Sequence, residues 1–244
     1  MLIALLYHKT GSGKYANPLK GLEAHFKWIA SRFPSTLPGE PLCSGVSVCL
    51  TFDDAWFDFY YHIFPLLKKY ELKALLAVPT AYIPNETTLS PKTRLERSFS
   101  FSMKEAPLPS PAFCTWSELR EIAASPLIQI ASHSMTHRPM TTIGLNIHEE
   151  FIFSKEVLEK TLEVPIRSFV YPFGKWNRNV HTVGKAHYQH LFRIGNAENL
   201  SWTNRDQLLY RINGDQLPNL KFPFTPFHRL IHLTRFIFNT CRGR

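Results

Sequence analysis

The sequence lacks the features that mark disulfide-stapled, redox and membrane-spanning proteins. Its 244 residues include four cysteines, at positions 43, 49, 114 and 241, and no two of them form a CxxC pair. Cysteines scattered in this way are typical of free thiols in a reducing compartment. No apolar run reaches the roughly 18 residues that cross a membrane. With 44% hydrophobic and 14% aromatic residues, the chain should instead form a globular fold with a large core.

Acidic residues are also scarce, since 19 stand against 28 basic ones and leave a net charge of +9. This excess favours an anionic partner such as nucleic acid, an acidic glycan or a membrane surface. Zinc-finger spacings, RNA-binding signatures and basic helices with interleaved aromatic residues are missing, so we do not expect nucleic acid to be the partner.

The first apolar segment, Leu2 to Leu6, is short and has neither a basic flank nor a cleavage site. These features predict a buried strand and not a signal peptide. We therefore expect a cytoplasmic protein, or one bound peripherally to a membrane.

Predicted strands and helices alternate along most of the chain. Strands are predicted at 2–6, 46–52, 74–78, 127–131, 167–171 and 191–194. Helices are predicted at 19–33, 60–70, 148–162 and 179–188, and a capping box at Thr115 to Glu118 should begin another. Repeated strand–helix units are typical of parallel α/β folds, either a barrel or a doubly wound sheet.

Two segments fall outside this alternation. Residues 79–111 are polar and rich in proline, which predicts a long loop that serves as a functional insertion or a lid. Residues 221–244 contain five basic and no acidic residues among many aromatic ones. This segment should form either a final helix packed on the fold or a basic amphipathic helix that contacts a membrane.

Candidate functional residues follow three predicted strands, at the end where parallel α/β folds place their active sites. Asp53 and Asp54 are adjacent carboxylates, which are costly to bury without a cation or hydrogen-bond donors. His133 and His137 are four residues apart, which predicts a helical turn that directs both rings at one metal ion. Tyr171-Pro172-Phe173-Gly174 predicts a tight loop whose backbone amides face a ligand. Each motif alone is weak evidence, because acidic turns and surface histidines are common.

In combination, the Thr-Phe-Asp-Asp and His-Ser-Met-Thr-His segments resemble, in identity, order and spacing, the polysaccharide deacetylase family. This family is the NodB homology group of carbohydrate esterase family 4. The resemblance implies an α/β fold, a distorted (β/α) barrel that forms a single domain. It implies a catalytic domain over residues 1–217 and a basic, aromatic-rich tail at 218–244.

The resemblance also assigns chemistry to individual residues. It implies one divalent ion held by Asp54, His133 and His137, with Asp53 as the catalytic base. Zinc is the expected metal, and nickel and cobalt are alternatives that suit the same ligands. The substrate should contact the loop Tyr171-Pro172-Phe173-Gly174, whose backbone amides near Phe173 help to hold the oxyanion.

Two departures from the usual family pattern indicate one of its branches. Val170 stands where most members have an arginine that orients the base, and nearby Arg167 is not assigned that role. The usual late Leu-x-His motif is also missing. Both departures resemble the deacetylases of exported poly-N-acetylglucosamine, which have a Tyr-Pro-aromatic-Gly loop and an early Tyr-His pair. Tyr7 and His8 fit this pair, so the resemblance implies that His8 is the general acid.

The implied activity is the removal of N-acetyl groups from an N-acetylhexosamine-containing glycan of the peptidoglycan or poly-N-acetylglucosamine type. Two alternatives stay open: an amide hydrolase acting on a small, lipid-linked or nucleotide-linked sugar, and a degenerate member that binds glycan without catalysis. Trp56 and Tyr60, which follow the Asp pair, either line a sugar-binding groove or pack in the core. The sequence carries no indication of an oligomeric state.

Overall fold

The computed structural model describes residues 1–241, and within them seven parallel strands close into a barrel. The strands, in chain order, are β1 (Leu2–Tyr7), β2 (Lys9–Thr10), β3 (Ala16–Asn17), β4 (Ser47–Phe52), β5 (Ala74–Val78), β6 (Ile128–Ser132), β7 (Ser168–Val170), β8 (His190–Ile194) and β9 (Leu208–Asn213). The short strands β2 and β3 pair with each other. The barrel order is β1-β4-β5-β6-β7-β8-β9, with β9 closing on β1. The predicted (β/α) barrel is therefore confirmed, and a doubly wound sheet is excluded.

Helices connect most of the barrel strands. They are α1 (Leu19–Ala30), α2 (Phe64–Lys69), α3 (Pro91–Ser100), α4 (Trp116–Ala123), α5 (Ile147–Leu162), α6 (Arg178–His187) and α7 (Pro226–Cys241). A π-helical turn at Phe59–Ile63 leads into α2, and 3₁₀ turns lie at Thr80–Tyr82, Pro172–Gly174 and Arg205–Gln207. The predicted capping box begins α4: the Thr115 hydroxyl accepts from the Glu118 amide, and the Glu118 carboxylate accepts from the Thr115 amide.

Side chains on the barrel strands alternate between two apolar cores, because neighbouring residues of a strand point to opposite faces. On β1, Ile3 and Leu5 belong to the large core that includes helix residues such as Phe26. Leu2 and Ala4 belong to a smaller core, built mainly from residues of the strands, inside the barrel. A charged side chain that points inward enters this apolar space and needs a partner there.

The carboxyl ends of the barrel strands meet at one rim, because all seven strands run parallel. Tyr7 at the end of β1 pairs with Phe52 at the end of β4. This register places the next residues, His8 and Asp53, beside each other at the rim.

The predicted loop at 79–111 is wrong in part, because the segment contains α3 and packs against the barrel. Arg94 on α3 is buried, forms an ion pair with Glu118, and lies over the Phe57 ring at 3.5 Å from its centroid. Pro91 does not prevent the helix, since it occupies the first turn, where its missing amide hydrogen costs nothing.

The predicted tail contains α7, which contacts the barrel through a T-shaped pair of Phe236 and Tyr210 with ring centroids 6.1 Å apart. Residues 242–244 of this tail lie outside the described part of the chain. None of the helices in residues 1–241 combines the length and the apolar character that would let it cross a membrane.

Candidate metal centre

Three predicted ligands converge at the carboxyl rim of the barrel. Asp54 follows β4, and His133 and His137 lie in the loop after β6. Asp54 Oδ1 lies 3.2 Å from His137 Nε2 and 3.6 Å from His133 Nε2, and the two ring nitrogens are 3.2 Å apart. All three side chains are buried. One carboxylate oxygen and two imidazole nitrogens in this arrangement can hold a divalent ion and leave positions for water and substrate.

Hydrogen bonds around the cluster leave its ligand atoms available to a cation. Trp56 Nε1 donates to Asp54 Oδ2 at 3.0 Å, whereas the buried Oδ1 accepts no hydrogen bond within the described residues. His133 Nδ1 donates to the Val170 carbonyl at 2.7 Å, and burial lowers the pKa of this imidazole to about 4. The ring is therefore neutral near pH 7 and directs an unprotonated Nε2 at Asp54. Because buried polar atoms are normally paired, the orphaned oxygen fits a metal ion.

Trp56 packs in the core and is not part of an open groove. It is 1% exposed and stacks on Phe113 with ring centroids 4.2 Å apart. Its indole N–H orients the carboxylate of Asp54. Tyr60 is partly exposed, and its hydroxyl donates to Glu121 Oε2 at 2.6 Å.

The segment from His133 to His137 is an irregular loop, and the prediction of a helical turn is wrong. Ser134 and His137 have left-handed backbone conformations, with φ of 65° and 54°. Such conformations cost free energy in residues other than glycine and need support from their surroundings. The buried carboxylate of Glu150 on α5 supplies it, because Oε2 accepts from the two backbone amides that precede His137, at 2.8 and 2.9 Å. A four-residue spacing suits this loop as well as a helix.

Asp53 lies beside the cluster and is paired with Arg211. Nη1 and Nη2 of Arg211 donate to Oδ1 and Oδ2 of Asp53 at 2.6 and 2.9 Å. Asp53 Oδ2 also lies 3.7 Å from His133 Nε2 and 3.9 Å from His8 Nε2. Burial raises the pKa of Asp53, but the Arg211 guanidinium, together with His133 and His8, outweighs it and holds the pKa below its usual value. The carboxylate is therefore ionised at neutral pH and able to accept a proton.

His8 is held on the other side of Asp53 by Asp215. Its Nδ1 lies 2.6 Å from Asp215 Oδ2, and its backbone amide donates to Oδ1 at 3.1 Å. Burial lowers the pKa of His8, but the hydrogen bond and charge of Asp215 outweigh it and raise the pKa to about 9. Nε2 therefore carries a proton at neutral pH. The side chain keeps 17% of its surface exposed, so a ligand can reach it.

Only part of the predicted substrate loop lies beside the cluster. Phe173 is 46% exposed, and its ring centroid lies 4.9 Å from that of His137. Tyr171 is buried instead, with its hydroxyl 2.9 Å from His181 Nδ1, and Pro172 and Gly174 are also buried. A cleft of about 520 Å³ opens beside this turn and is lined by residues 173–178, Arg193 and Ile194. Its volume suits a small ligand such as a sugar unit.

The sequence patterns do not reveal three residues that orient the site: Arg211, Asp215 and Glu150. Arg211 had a usable signal, because a lone arginine inside the apolar stretch from Leu208 to Ile212 indicates a charge buried on a strand. It contacts Asp53 from β9. Val170, at the position where most family members have an arginine, cannot make this contact. Asp215 and Glu150 had no such signal, since acidic residues in loops and first helical turns are usually exposed.

Comparison with known proteins places these residues in a family. The family model described as "Polysaccharide deacetylase" matches residues 44–190. The chain is 25% identical over 220 residues to "Putative polysaccharide deacetylase YxkH" of Bacillus subtilis, covering 86% of this chain and 68% of that protein. It is 30% identical over 96 residues to "Poly-beta-1,6-N-acetyl-D-glucosamine N-deacetylase" of Escherichia coli K12, covering 39% of this chain and 13% of that protein.

A solved structure shares the fold over almost the whole chain. The Streptococcus pyogenes deacetylase PplD, determined in complex with acetate, superposes with a TM-score of 0.71 at 19% identity. The match covers 94% of this chain and 96% of the PplD chain. Since the family model spans more than half of the sequence and the barrel is shared, the chain belongs to the polysaccharide deacetylase family.

Proposed function

We propose that the protein is a metal-dependent N-deacetylase that removes N-acetyl groups from N-acetylhexosamine units of a glycan. The position of Asp53 Oδ2 carries this proposal: it lies 3.7 Å from His133 Nε2 and 3.9 Å from His8 Nε2. An ionised carboxylate thus stands between a candidate metal cluster and a protonated imidazole. Amide hydrolysis needs such a base and such an acid on either side of the reacting group.

Asp54, His133 and His137 would hold the metal, which we propose is zinc, with nickel and cobalt as alternatives. When bound, the ion supplies a Lewis acid that polarises the amide carbonyl and lowers the pKa of a water molecule. Trp56 and Glu150 contribute by orienting the ligand side chains and the loop that carries them.

Each remaining step uses a residue at the rim. Asp53 accepts a proton from the attacking water as the water oxygen bonds to the acetyl carbon, and Arg211 keeps that carboxylate ionised. His8, held protonated by Asp215, donates a proton to the sugar nitrogen as the carbon–nitrogen bond breaks. The products are acetate and a free amine. Backbone amides near Phe173 are the proposed donors to the developing oxyanion.

The proposed substrates are glycans of the poly-N-acetylglucosamine or peptidoglycan type. The named activity of the Escherichia coli relative supports the first type, over 96 aligned residues. The titratable side chains that line the cleft beside Phe173 are all basic: Lys175, Arg178 and Arg193. This lining favours a substrate with negative charge, which includes a lipid-linked or nucleotide-linked sugar that carries phosphate.

Metal content and acetate release test the proposal together. Purified protein should bind one equivalent of divalent metal, and chelation should abolish acetate release from N-acetylglucosamine oligomers until zinc is restored. Asp53→Asn should keep the metal and lose activity, whereas Asp54→Asn should lose the metal. The substrate panel should include peptidoglycan fragments and N-acetylated nucleotide sugars. Metal-loaded protein that binds a glycan but releases acetate from no member of the panel would instead be a degenerate binding protein.

A further inference from the structure

α7 directs several of its large apolar side chains outward, which is unusual for a surface helix. Four of them are exposed: Phe227 (70%), Leu230 (62%), Ile237 (57%) and Phe238 (52%). Their spacing places them along one side of the helix, which we call the outer stripe. His232 is the buried residue of α7.

The inner side of α7 is held to the barrel largely by polar contacts. His232 Nδ1 donates to the Asn196 carbonyl at 2.6 Å, and Arg229 Nε forms an ion pair with the buried Glu198 at 3.1 Å. The Asn239 side chain donates to a carbonyl of the same loop at 3.2 Å. These contacts fix which side faces the protein, so the outer stripe is not needed to attach the helix.

The segment that contains α7 carries charge of one sign. From position 221 to 244 the sequence has five basic and no acidic residues, and Lys221 and Arg235 are exposed. On α5, by contrast, the exposed apolar residues Phe153 and Val157 share their helix with glutamates at 149, 150, 156 and 159. Exposed apolar side chains on a helix whose own charges are all cationic are complementary to an anionic lipid surface, whereas those on α5 share their helix with acidic residues and are less so.

We propose that α7 docks the protein on an anionic lipid bilayer. Phe227, Leu230 and Ile237 enter the boundary between head groups and acyl chains, and Arg235 contacts lipid phosphates. The helix lies in the plane of the interface, because its outer side is apolar and its inner side is occupied by the barrel. Docking uses both apolar burial and charge, so it requires anionic lipid and weakens with salt. It is independent of the proposed deacetylase activity, which uses the barrel rim.

Vesicle co-sedimentation of the full chain tests this proposal. The wild type should bind vesicles of phosphatidylcholine mixed with phosphatidylglycerol, bind pure phosphatidylcholine far less, and dissociate as salt is raised. The double variant Leu230→Asp/Ile237→Asp should bind the mixed vesicles at least about tenfold more weakly. The matched control is Phe153→Asp/Val157→Asp, which places the same charges on an exposed apolar pair of α5 and should bind as the wild type does.

Three outcomes would overturn the proposal: no binding of the wild type to mixed vesicles, equal binding to both lipid compositions, or equal loss in the two double variants. If the wild type does not bind vesicles but forms dimers, and Leu230→Asp/Ile237→Asp is monomeric, the outer stripe is a self-association surface. Thermal melting followed by circular dichroism checks that both variants are folded. The comparison of lipid compositions uses the wild type, so it decides the question even if a variant does not fold.

Discussion

Arg211 and Asp53 form a buried bidentate ion pair although 158 positions separate them in the sequence. Arg211 reaches the carboxylate from β9 and is fully buried, and its Nη1 also donates to Thr51 Oγ1 at 3.2 Å. A carboxylate removed from water stays ionised only if a partner compensates for the lost hydration. The charge of the proposed base therefore depends chiefly on this arginine.

Replacing Arg211 with lysine should impair the base more than the fold. Lysine keeps the charge but loses the two parallel hydrogen bonds, so the pKa of Asp53 should rise. We expect kcat to fall about 100-fold and the acidic limb of the pH–rate profile to move to higher pH. Arg167→Lys is the control, because Arg167 is exposed. This variant should leave kcat and the acidic limb unchanged. An unshifted acidic limb in Arg211→Lys would contradict the assigned role.

Removing the charge of Asp215 should move the alkaline limb of the pH–rate profile to lower pH. His8, the proposed acid, can act only while protonated, and Asp215 is the main cause of its raised pKa of about 9. Without that charge the pKa of His8 should fall, so activity should be lost at lower pH. Measuring kcat/KM of Asp215→Asn across the alkaline range checks this. The control is Asp206→Asn, at an exposed site, which should keep the alkaline limb of the wild type. An unchanged alkaline limb in Asp215→Asn would exclude His8 as the acid.

Truncating Glu150 should weaken metal binding without touching a ligand. Glu150→Ala leaves two backbone amides of the histidine loop without their acceptor, so the left-handed conformation of His137 loses support. We expect metal affinity to fall about 10- to 100-fold, measured by competition with a chromogenic chelator. Glu156→Ala, on an exposed site of the same helix, provides the control. Equal affinities of the two variants would show that the loop holds its shape unaided.

The buried His25 should make the fold less stable in acid. Its Nδ1 donates to the Leu220 carbonyl and its Nε2 accepts from the Tyr7 hydroxyl, both at 2.8 Å, and burial lowers its pKa to about 4. An unfolded histidine titrates near 6.5, so between pH 6.5 and 4 the unfolded chain takes up a proton that the folded chain does not. The free energy of unfolding should therefore fall as pH drops through this window.

Urea unfolding of the wild type and His25→Gln at several pH values measures this contribution. The variant has no titrating group at the site, so the stability difference between the two proteins should change by up to about 1.4 kcal/mol per pH unit within the window. A difference that stays constant would show that another group causes the acid sensitivity.

Local sequence patterns predicted most elements of the barrel where each had its own periodicity or turn residues, but they missed β9, the strand that closes it. They failed for 79–111, because proline in the first turn of α3 resembles proline in a loop. They also failed for the loop from His133 to His137, because a four-residue spacing does not distinguish a helix from a turn that Glu150 holds in place. Composition also predicted a tail helix, either packed on the fold or amphipathic, but not which side of α7 faces the barrel.

The sequence by itself determined the alternation of strands and helices and the meeting of Asp53, Asp54, His133 and His137 at one rim, whereas the choice of a barrel over a doubly wound sheet came from the family resemblance. Each of these residues follows an apolar strand, and parallel strands end at the same rim. Only the tertiary structure decided what orients them, because Arg211 and Asp215 reach Asp53 and His8 from the last strand, which closes on the first. Closure of a barrel brings together residues from opposite ends of the chain, and such a contact leaves no trace in local periodicity.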